Sequence, residues 1–304
     1  MREQTLDRLI RVGLKALAVG VAAVAIIYFL DQRDTSPSLV DRQIAAAEAA
    51  VREKPAETGL RLRLAEIYRA AERPDSALDQ YDEVLKVEAG QSTALLGRAE
   101  VLAQTGDLSE ATKAFEKVIG KAGGAEFSGV NPQLEAAYYG LGSAMMRQGR
   151  AQGAMHEAKK AVAIEPTDAD AWYLLGTAAL KSGAYKPAVK ALRQAVLFVP
   201  TEWCEPYEKL SMAYSAQHRK PQAQYASAMV DLCKKDPAAA ARLLKPLTSG
   251  PVAVDAMLGL GMAAEAESHR ASAARWYRKV VVVDPENFNA RGGLSRLGAA
   301  SGGE

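Results

Sequence analysis

The sequence predicts an all-α fold, and three observations carry that prediction. Apolar residues make up 49% of the 304 residues, but aromatic residues make up only 6%, so aliphatic side chains must form most of the core. Alanine, leucine, lysine, glutamate and arginine are abundant, and these are the strongest helix formers. Glycine and proline recur at regular intervals, as expected where helices are broken at set positions.

The first element is a predicted transmembrane helix at residues 12–30. This stretch, VGLKALAVGVAAVAIIYFL, carries only one charge, and Lys15 lies close enough to its beginning for the side chain to reach the headgroups. The span ends in bulky residues, whereas a signal-peptide cleavage site needs small ones. The pattern therefore favours an uncleaved signal anchor over two alternatives, a cleaved signal peptide and a buried core helix.

Basic residues predict how this span is oriented. Four of them lie at or before its start, namely Arg2, Arg8, Arg11 and Lys15, and two follow it closely, namely Arg33 and Arg42. Because positively charged flanks stay inside, residues 1–11 are expected to be cytoplasmic. The rest of the chain is then expected outside the inner membrane, in a periplasmic or extracellular location. Residues 31–37 are polar and predict a short tether.

After the tether, the sequence repeats with a period of 34 residues. One alanine marks the same place in each unit, at intervals of 34, 43, 34, 35 and 50 residues: Ala77, Ala111, Ala154, Ala188, Ala223 and Ala273. In one unit, Trp172, Leu175 and Gly176 recur along one face of a first helix. Gly183 then breaks the chain, and Pro200 ends a second helix. Each unit is therefore predicted to be a hairpin of two antiparallel helices.

This pattern resembles the tetratricopeptide repeat, whose signature is W-x2-L-G-x2-Y, then A-x3-F, then P. The best copies are Leu64-Ala65-x2-Tyr68 with Ala77-x3-Tyr81, Trp172-x2-Leu175-Gly176 with Ala188-x3-Leu192, and Leu260-Gly261 with Ala273-x3-Tyr277. The resemblance implies an α-solenoid over residues 38–299, with repeats near 58–91, 92–125, 135–168, 169–202, 204–237 and 254–287. Capping helices are expected at 39–54 and 287–299, a glycine-rich loop at 120–131, and a short extra helix with a turn at 237–253.

The sequence carries no pattern typical of catalysis or cofactor binding. Net charge is +2, and because that excess lies in the first thirty residues, no basic face for nucleic acid is expected. His156, His218 and His269 lack metal-binding spacing. Gly259 and Gly261 fit a dinucleotide fingerprint only formally, since no strand precedes them. We therefore predict no catalytic, cofactor-binding or metal-binding residues, and no enzyme.

The two cysteines occupy the first and thirtieth places of the fifth unit, Cys204 and Cys233. In an antiparallel hairpin these places lie at the same end, so the geometry permits a disulfide. A disulfide would fit an oxidising exterior. Two unlinked small core residues are the alternative.

The resemblance also implies where a partner binds. In proteins of this family the second, fifth, ninth and twelfth places of each unit line a concave groove. Those places include Leu62, Glu66, Leu96, Glu100, Tyr139, Met146, Asp170, Tyr173, Leu180, Glu208, Met212, Leu258, Met262 and Glu265. We expect about a third of these residues to pack against neighbouring helices instead.

The composition of this groove indicates the kind of partner. It is expected to be apolar and aromatic with an acidic rim, which suits an amphipathic helix or an extended hydrophobic segment. The fifth and ninth places hold no Lys, Arg or Asn. Relatives that clamp the C-terminal carboxylate of chaperones use those residues there, so a carboxylate clamp is not expected.

The leading hypothesis is a membrane-anchored scaffold that docks proteins or peptides outside the cytoplasmic membrane. Resemblance to bacterial proteins of this layout implies assembly of an envelope, secretion or cytochrome-maturation complex. An adaptor of the same binding class that faces the cytoplasm is the alternative. An enzyme or small-ligand receptor is the third hypothesis, and it is less favoured because solenoids present extended surfaces rather than enclosed pockets.

Overall fold

The computed structural model describes residues 20–24, 37–122, 131–197 and 202–299, and every regular element in these ranges is a helix. The expected all-α fold is confirmed over this part of the chain. The predicted anchor, residues 12–30, lies outside the described ranges apart from residues 20–24, which are helical. Residues 1–11 and nearly all of the predicted tether, residues 31–37, also lie outside the described ranges. Within the ranges described, no helix is both long and apolar enough to cross a bilayer.

The chain divides into two compact units, Met1–Arg73 and Pro74–Glu304. Apart from the helical residues 20–24, the described helices of the first unit are α1 (Leu39–Glu53) and α2 (Thr58–Ala70). They pack against each other, and the Tyr68 hydroxyl on α2 donates to Glu48 Oε1 on α1 at 2.7 Å. Helix α1 lies in the stretch where the N-terminal capping helix is expected.

The second unit contains thirteen α-helices among its described residues. They are α3 (Pro74–Val87), α4 (Ser92–Thr105), α5 (Leu108–Ala122), α6 (Pro132–Arg147), α7 (Ala151–Ile164), α8 (Ala169–Lys181), α9 (Tyr185–Ala195), α10 (Glu205–Ala216), α11 (Lys220–Cys233), α12 (Pro237–Leu244), α13 (Ala253–Ala266), α14 (Arg270–Val283) and α15 (Phe288–Arg296). Consecutive helices pack as the hairpins α4–α5, α6–α7, α8–α9, α10–α11 and α13–α14. These are five of the six hairpins that the 34-residue period predicts.

The repeat is interrupted at two segments, residues 120–131 and residues 237–253. Helix α5 continues through Ala122, so the loop expected from Gly120 begins later than predicted, and residues 123–130 lie outside the described ranges. Residues 237–253 hold the short helix α12 and the 3₁₀ turn Lys245–Leu247. Helix α15 lies in the stretch where the C-terminal capping helix is expected.

The backbone is left-handed at the fifteenth place of each of the six predicted repeats. The residues there are Glu72, Gly106, Gly149, Gly183, His218 and Ser268, with φ between 55° and 97°. A side chain raises the energy of this conformation through contact between Cβ and the backbone, and glycine avoids that contact. Three of the six repeats therefore carry local backbone strain at this turn, and glycine relieves that strain in the other three.

Replacing His218 with glycine is expected to raise the free energy of unfolding by about 0.5–1 kcal/mol, because it removes the Cβ contact at an exposed turn. Chemical denaturation of the purified chain measures this change. Gly183→Ala is the reciprocal control and should be destabilising by a similar amount. A decrease in stability for His218→Gly would contradict the strain argument.

Candidate docking surface

The predicted groove residues lie on the first helices of the hairpins. In the second unit they are Leu96 and Glu100 on α4, Tyr139 and Met146 on α6, Asp170, Tyr173 and Leu180 on α8, Glu208 and Met212 on α10, and Leu258, Met262 and Glu265 on α13. Leu62 and Glu66 lie on α2 of the first unit. Helix α6 contacts α4 and α8, and α8 contacts α10, so four of these first helices lie side by side. Met212 is 55% exposed.

Most of the apolar members also contact the hydrophobic core. These are Leu96, Tyr139, Met146, Tyr173, Leu180, Leu258 and Met262. The expectation that about a third would pack against neighbouring helices was therefore too low. Each of these residues is half-buried, so it supports the core with one side and leaves part of its surface to solvent.

Three aromatic residues, Tyr139, Tyr173 and Trp203, form what we call the aromatic surface. The rings of Tyr173 and Trp203 lie 4.7 Å apart between centroids, with their planes tilted by 54°, a favourable geometry for aromatic pairs. Tyr139 lies on α6 beside the N-terminal end of α8, where it interacts with Asp168 and Asp170. Sequence reasoning missed Trp203, because it precedes the first place of its repeat.

Carboxylates surround the two phenols of this surface. Burial first, then Asp170, Asp168 and Glu135, raise the pKa of Tyr139. Burial, then Glu205 and Glu208, raise the pKa of Tyr173. Carboxylates therefore lie close to both tyrosines of the aromatic surface.

Glu135 is the most perturbed of these carboxylates. Burial first, and then the charges of Asp168 and Glu165, raise its pKa to about 7, because both effects penalise the ionised form. Its Oε1 atom is buried and lacks a hydrogen-bond partner. Asp168, by contrast, caps α8 by accepting from the backbone N–H groups of Asp170 at 2.8 Å and Ala171 at 3.2 Å. No group of three metal-binding side chains occurs in the described ranges.

A pocket of about 140 Å³ lies nearer the C-terminal end of the second unit. Its lining includes Tyr207, Tyr214, Tyr225, Leu258 and Met262. At this pocket the Arg193 guanidinium donates to Asp255 at 3.2 and 3.4 Å, and Asn289 Nδ2 donates to the Leu197 carbonyl at 3.3 Å.

These polar contacts join residues 62 and 92 positions apart. A regular repeat array makes contacts only between neighbouring repeats, so this part of the unit departs from regular stacking. The carboxylate of the groove residue Glu265 on α13 also has hydrogen-bond partners within this unit. It accepts from Arg296 Nε at 3.0 Å and from the Tyr277 hydroxyl at 2.6 Å.

A disulfide joins Cys204 to Cys233, with the two Cα atoms 5.6 Å apart. It ties the start of α10 to the end of α11. Lys234 Nζ pairs with Glu208 at 3.1 Å next to it, and Trp203 directly precedes the bridged Cys204. The bridge therefore holds the backbone that positions one ring of the aromatic surface.

Comparison with known proteins identifies the repeat. Residues 62–126 and 145–203 match sequence models of the tetratricopeptide repeat. These matches confirm that the chain contains tetratricopeptide repeats. No curated protein sequence matches the chain significantly.

Solved structures share the same architecture. The crystal structure of MamA protein has a TM-score of 0.52 and 22% identity, covering 60% of this chain and 93% of MamA. YrrB, described as a TPR protein with an unusual peptide-binding site, has a TM-score of 0.53 and 18% identity, covering 65% of this chain and 96% of YrrB.

A third similar structure covers more of the chain. It is the C-terminal part of a TPR repeat-containing protein from Cytophaga hutchinsonii, with a TM-score of 0.52 and 17% identity over 83% of this chain and 93% of that one. At these identities, all three likenesses show the fold alone.

Proposed function

We propose that this chain, which contains tetratricopeptide repeats, is a membrane-anchored scaffold whose first helices dock partner proteins or peptides. The observation that carries the proposal is the aromatic surface. Two tyrosines and a tryptophan lie half-buried on or beside adjacent first helices, and partly desolvated aromatic residues are typical anchors of protein interfaces. The peptide-binding site ascribed to YrrB supports this use of the fold.

The anchor and the disulfide support a location outside the cytoplasmic membrane. Residues 12–30 are apolar, and the basic residues are concentrated on their N-terminal side, which favours an external repeat domain. Disulfides persist in oxidising compartments. The proposed role is assembly of an envelope, secretion or cytochrome-maturation complex, where the anchor raises the local concentration of the docking surface near membrane-bound partners.

Site-specific photocrosslinking in cells tests the docking role. A photoreactive phenylalanine analogue in place of Met212, which is exposed on α10, should give a membrane-bound adduct of defined mass. The same analogue in place of Lys159, which is exposed on the second helix α7, is the matched control and should give none. Equal adducts at both positions, or none at Met212, would contradict docking on the first helices. The compartment of the captured partner separates an external scaffold from a cytoplasmic adaptor.

A further inference from the structure

The carboxylates at the aromatic surface differ from those at the C-terminal pocket. At the pocket, Asp255 is neutralised by Arg193, and elsewhere on α13 Glu265 is neutralised by Arg296. At the aromatic surface, Asp170 and Glu205 are exposed. Neither forms an ion pair with any residue in the described part of the second unit. At the aromatic surface Lys234 pairs with Glu208, but Asp170 and Glu205 remain exposed to solvent.

Helix capping explains only part of this arrangement. Asp168 caps α8, and both Asp170 and Glu205 lie in first turns, where the helix dipole favours negative charge. Glu135 also lies in a first turn, that of α6, but the helix dipole does not account for its burial. It lies against Asp168 and Glu165 with one buried oxygen unpaired, an arrangement that a nearby cation would stabilise.

The aromatic rings favour the same kind of partner. Tyr139 and Tyr173 each lie among carboxylates, and the face of a phenol ring attracts the cationic head of lysine or arginine. Because the described residues contain no group of three metal ligands, a metal ion is not the cation this geometry fits. A long flexible side chain can place its charge between separated carboxylates while its methylene groups lie on the rings.

We propose that the aromatic surface binds a basic peptide segment of a partner protein. A lysine or arginine of that segment lies on Tyr139 or Tyr173, with its charge between Asp170 and the carboxylates of Glu135 and Glu205. Apolar residues of the segment contact Trp203. This proposal rests on the docking function and specifies the chemistry of the partner.

Fluorescence anisotropy with the full-length protein in nanodiscs tests the proposal. The probes are two labelled synthetic peptides with the same length and leucine content, one carrying lysines and the other carrying glutamines at the same places. The lysine peptide should bind about tenfold more tightly, as expected when a lysine charge contacts both a half-buried phenol ring and nearby carboxylates. Equal binding of the two peptides, or binding of neither, would overturn the proposal.

Matched charge removals separate a specific site from general attraction. The variant Asp170→Asn with Glu205→Gln should lose the preference for lysine while retaining the binding measured for the glutamine peptide. The control variant, Asp79→Asn with Glu116→Gln, removes the same charge from exposed positions on the second helices α3 and α5 and should retain the preference. Equal loss in both variants would overturn the proposal. The photocrosslink from Met212 is measured separately, so the docking role stands or falls on its own result.

Proton linkage provides a second readout. The carboxylates facing Glu135 from the α7–α8 connection are Asp168 and Glu165, and a bound cation favours the ionised form of Glu135. Affinity for the lysine peptide should therefore rise several-fold from about pH 6 to about pH 8, as Glu135 loses its proton near its pKa of about 7. Glu135→Gln should flatten this dependence. An unchanged pH profile in that variant would remove Glu135 from the site.

Discussion

Replacing Phe115 with alanine is expected to lower the free energy of unfolding by about 3–5 kcal/mol. Phe115 on α5 is 1% exposed, and its ring packs directly on the backbone of α6 at Gly140. A Cβ atom at Gly140 would lie 2.3 Å from the ring, so these two residues share a space that holds only one side chain. Removing the ring leaves a cavity between adjacent repeats.

The double variant Phe115→Ala with Gly140→Leu should recover part of this loss. One repeat further along the chain, the small and large residues are exchanged. Ala158 on α7 occupies the place of Phe115, Leu174 on α8 occupies the place of Gly140, and both are buried in one core cluster. Gly140→Leu alone should destabilise the chain strongly, because a side chain cannot fit beside the Phe115 ring. The two substitutions are therefore expected to be non-additive.

Urea denaturation followed by circular dichroism compares the two single variants with the double. Gly120→Ala is the control for glycine replacement, because a Cβ at this position in α5 has no neighbour within 4 Å, and the substitution should be stabilising. If the double variant loses as much stability as the two single variants added together, the contact between positions 115 and 140 does not depend on pairing a large residue with a small one.

The packing of Phe115 on Gly140 illustrates which contacts the sequence could predict and which it could not. The hairpins were predictable, because alanine marks and apolar faces recur within each unit. The pairing of a large side chain with a glycine was not predictable, because each such pair joins the twenty-fourth place of one repeat to the sixth place of the next. Tyr277 and Gly293 form another such pair, with a Cβ at Gly293 lying 2.4 Å from the ring. A motif read one repeat at a time cannot show this dependence.

The candidate site was predictable to a similar extent. Resemblance to the repeat indicated Tyr139 and Tyr173, because their places in the unit define the first-helix face. Trp203 and Glu135 lie outside the four groove places, so only their spatial contacts identify them. The contact of Arg193 with Asp255 depends on the path of the chain through residues 237–253, and no local pattern encodes that path.

Breaking the disulfide is the second change with a large expected effect. Cys204 and Cys233 are separated by 29 residues, and cross-linking a loop of this size stabilises a protein by about 3 kcal/mol through restriction of the unfolded chain. Cys204→Ser should therefore lower the free energy of unfolding by about that amount. Reduction of the wild-type protein should produce the same decrease, whereas reduction of Cys204→Ser should have no further effect.

Thiol labelling of the same two proteins connects this stability to location. In membrane-inserted wild-type protein, a membrane-impermeant thiol reagent should react only after reduction, because both sulfurs are bridged. In Cys204→Ser, Cys233 should react without reduction if the repeats lie outside, since no membrane separates it from the reagent. Labelling that requires permeabilisation in Cys204→Ser would place the repeats in the cytoplasm, where thiols are kept reduced. The orientation inferred from Arg2, Arg8, Arg11 and Lys15 would then be wrong, and the partner of the aromatic surface would be a cytoplasmic protein.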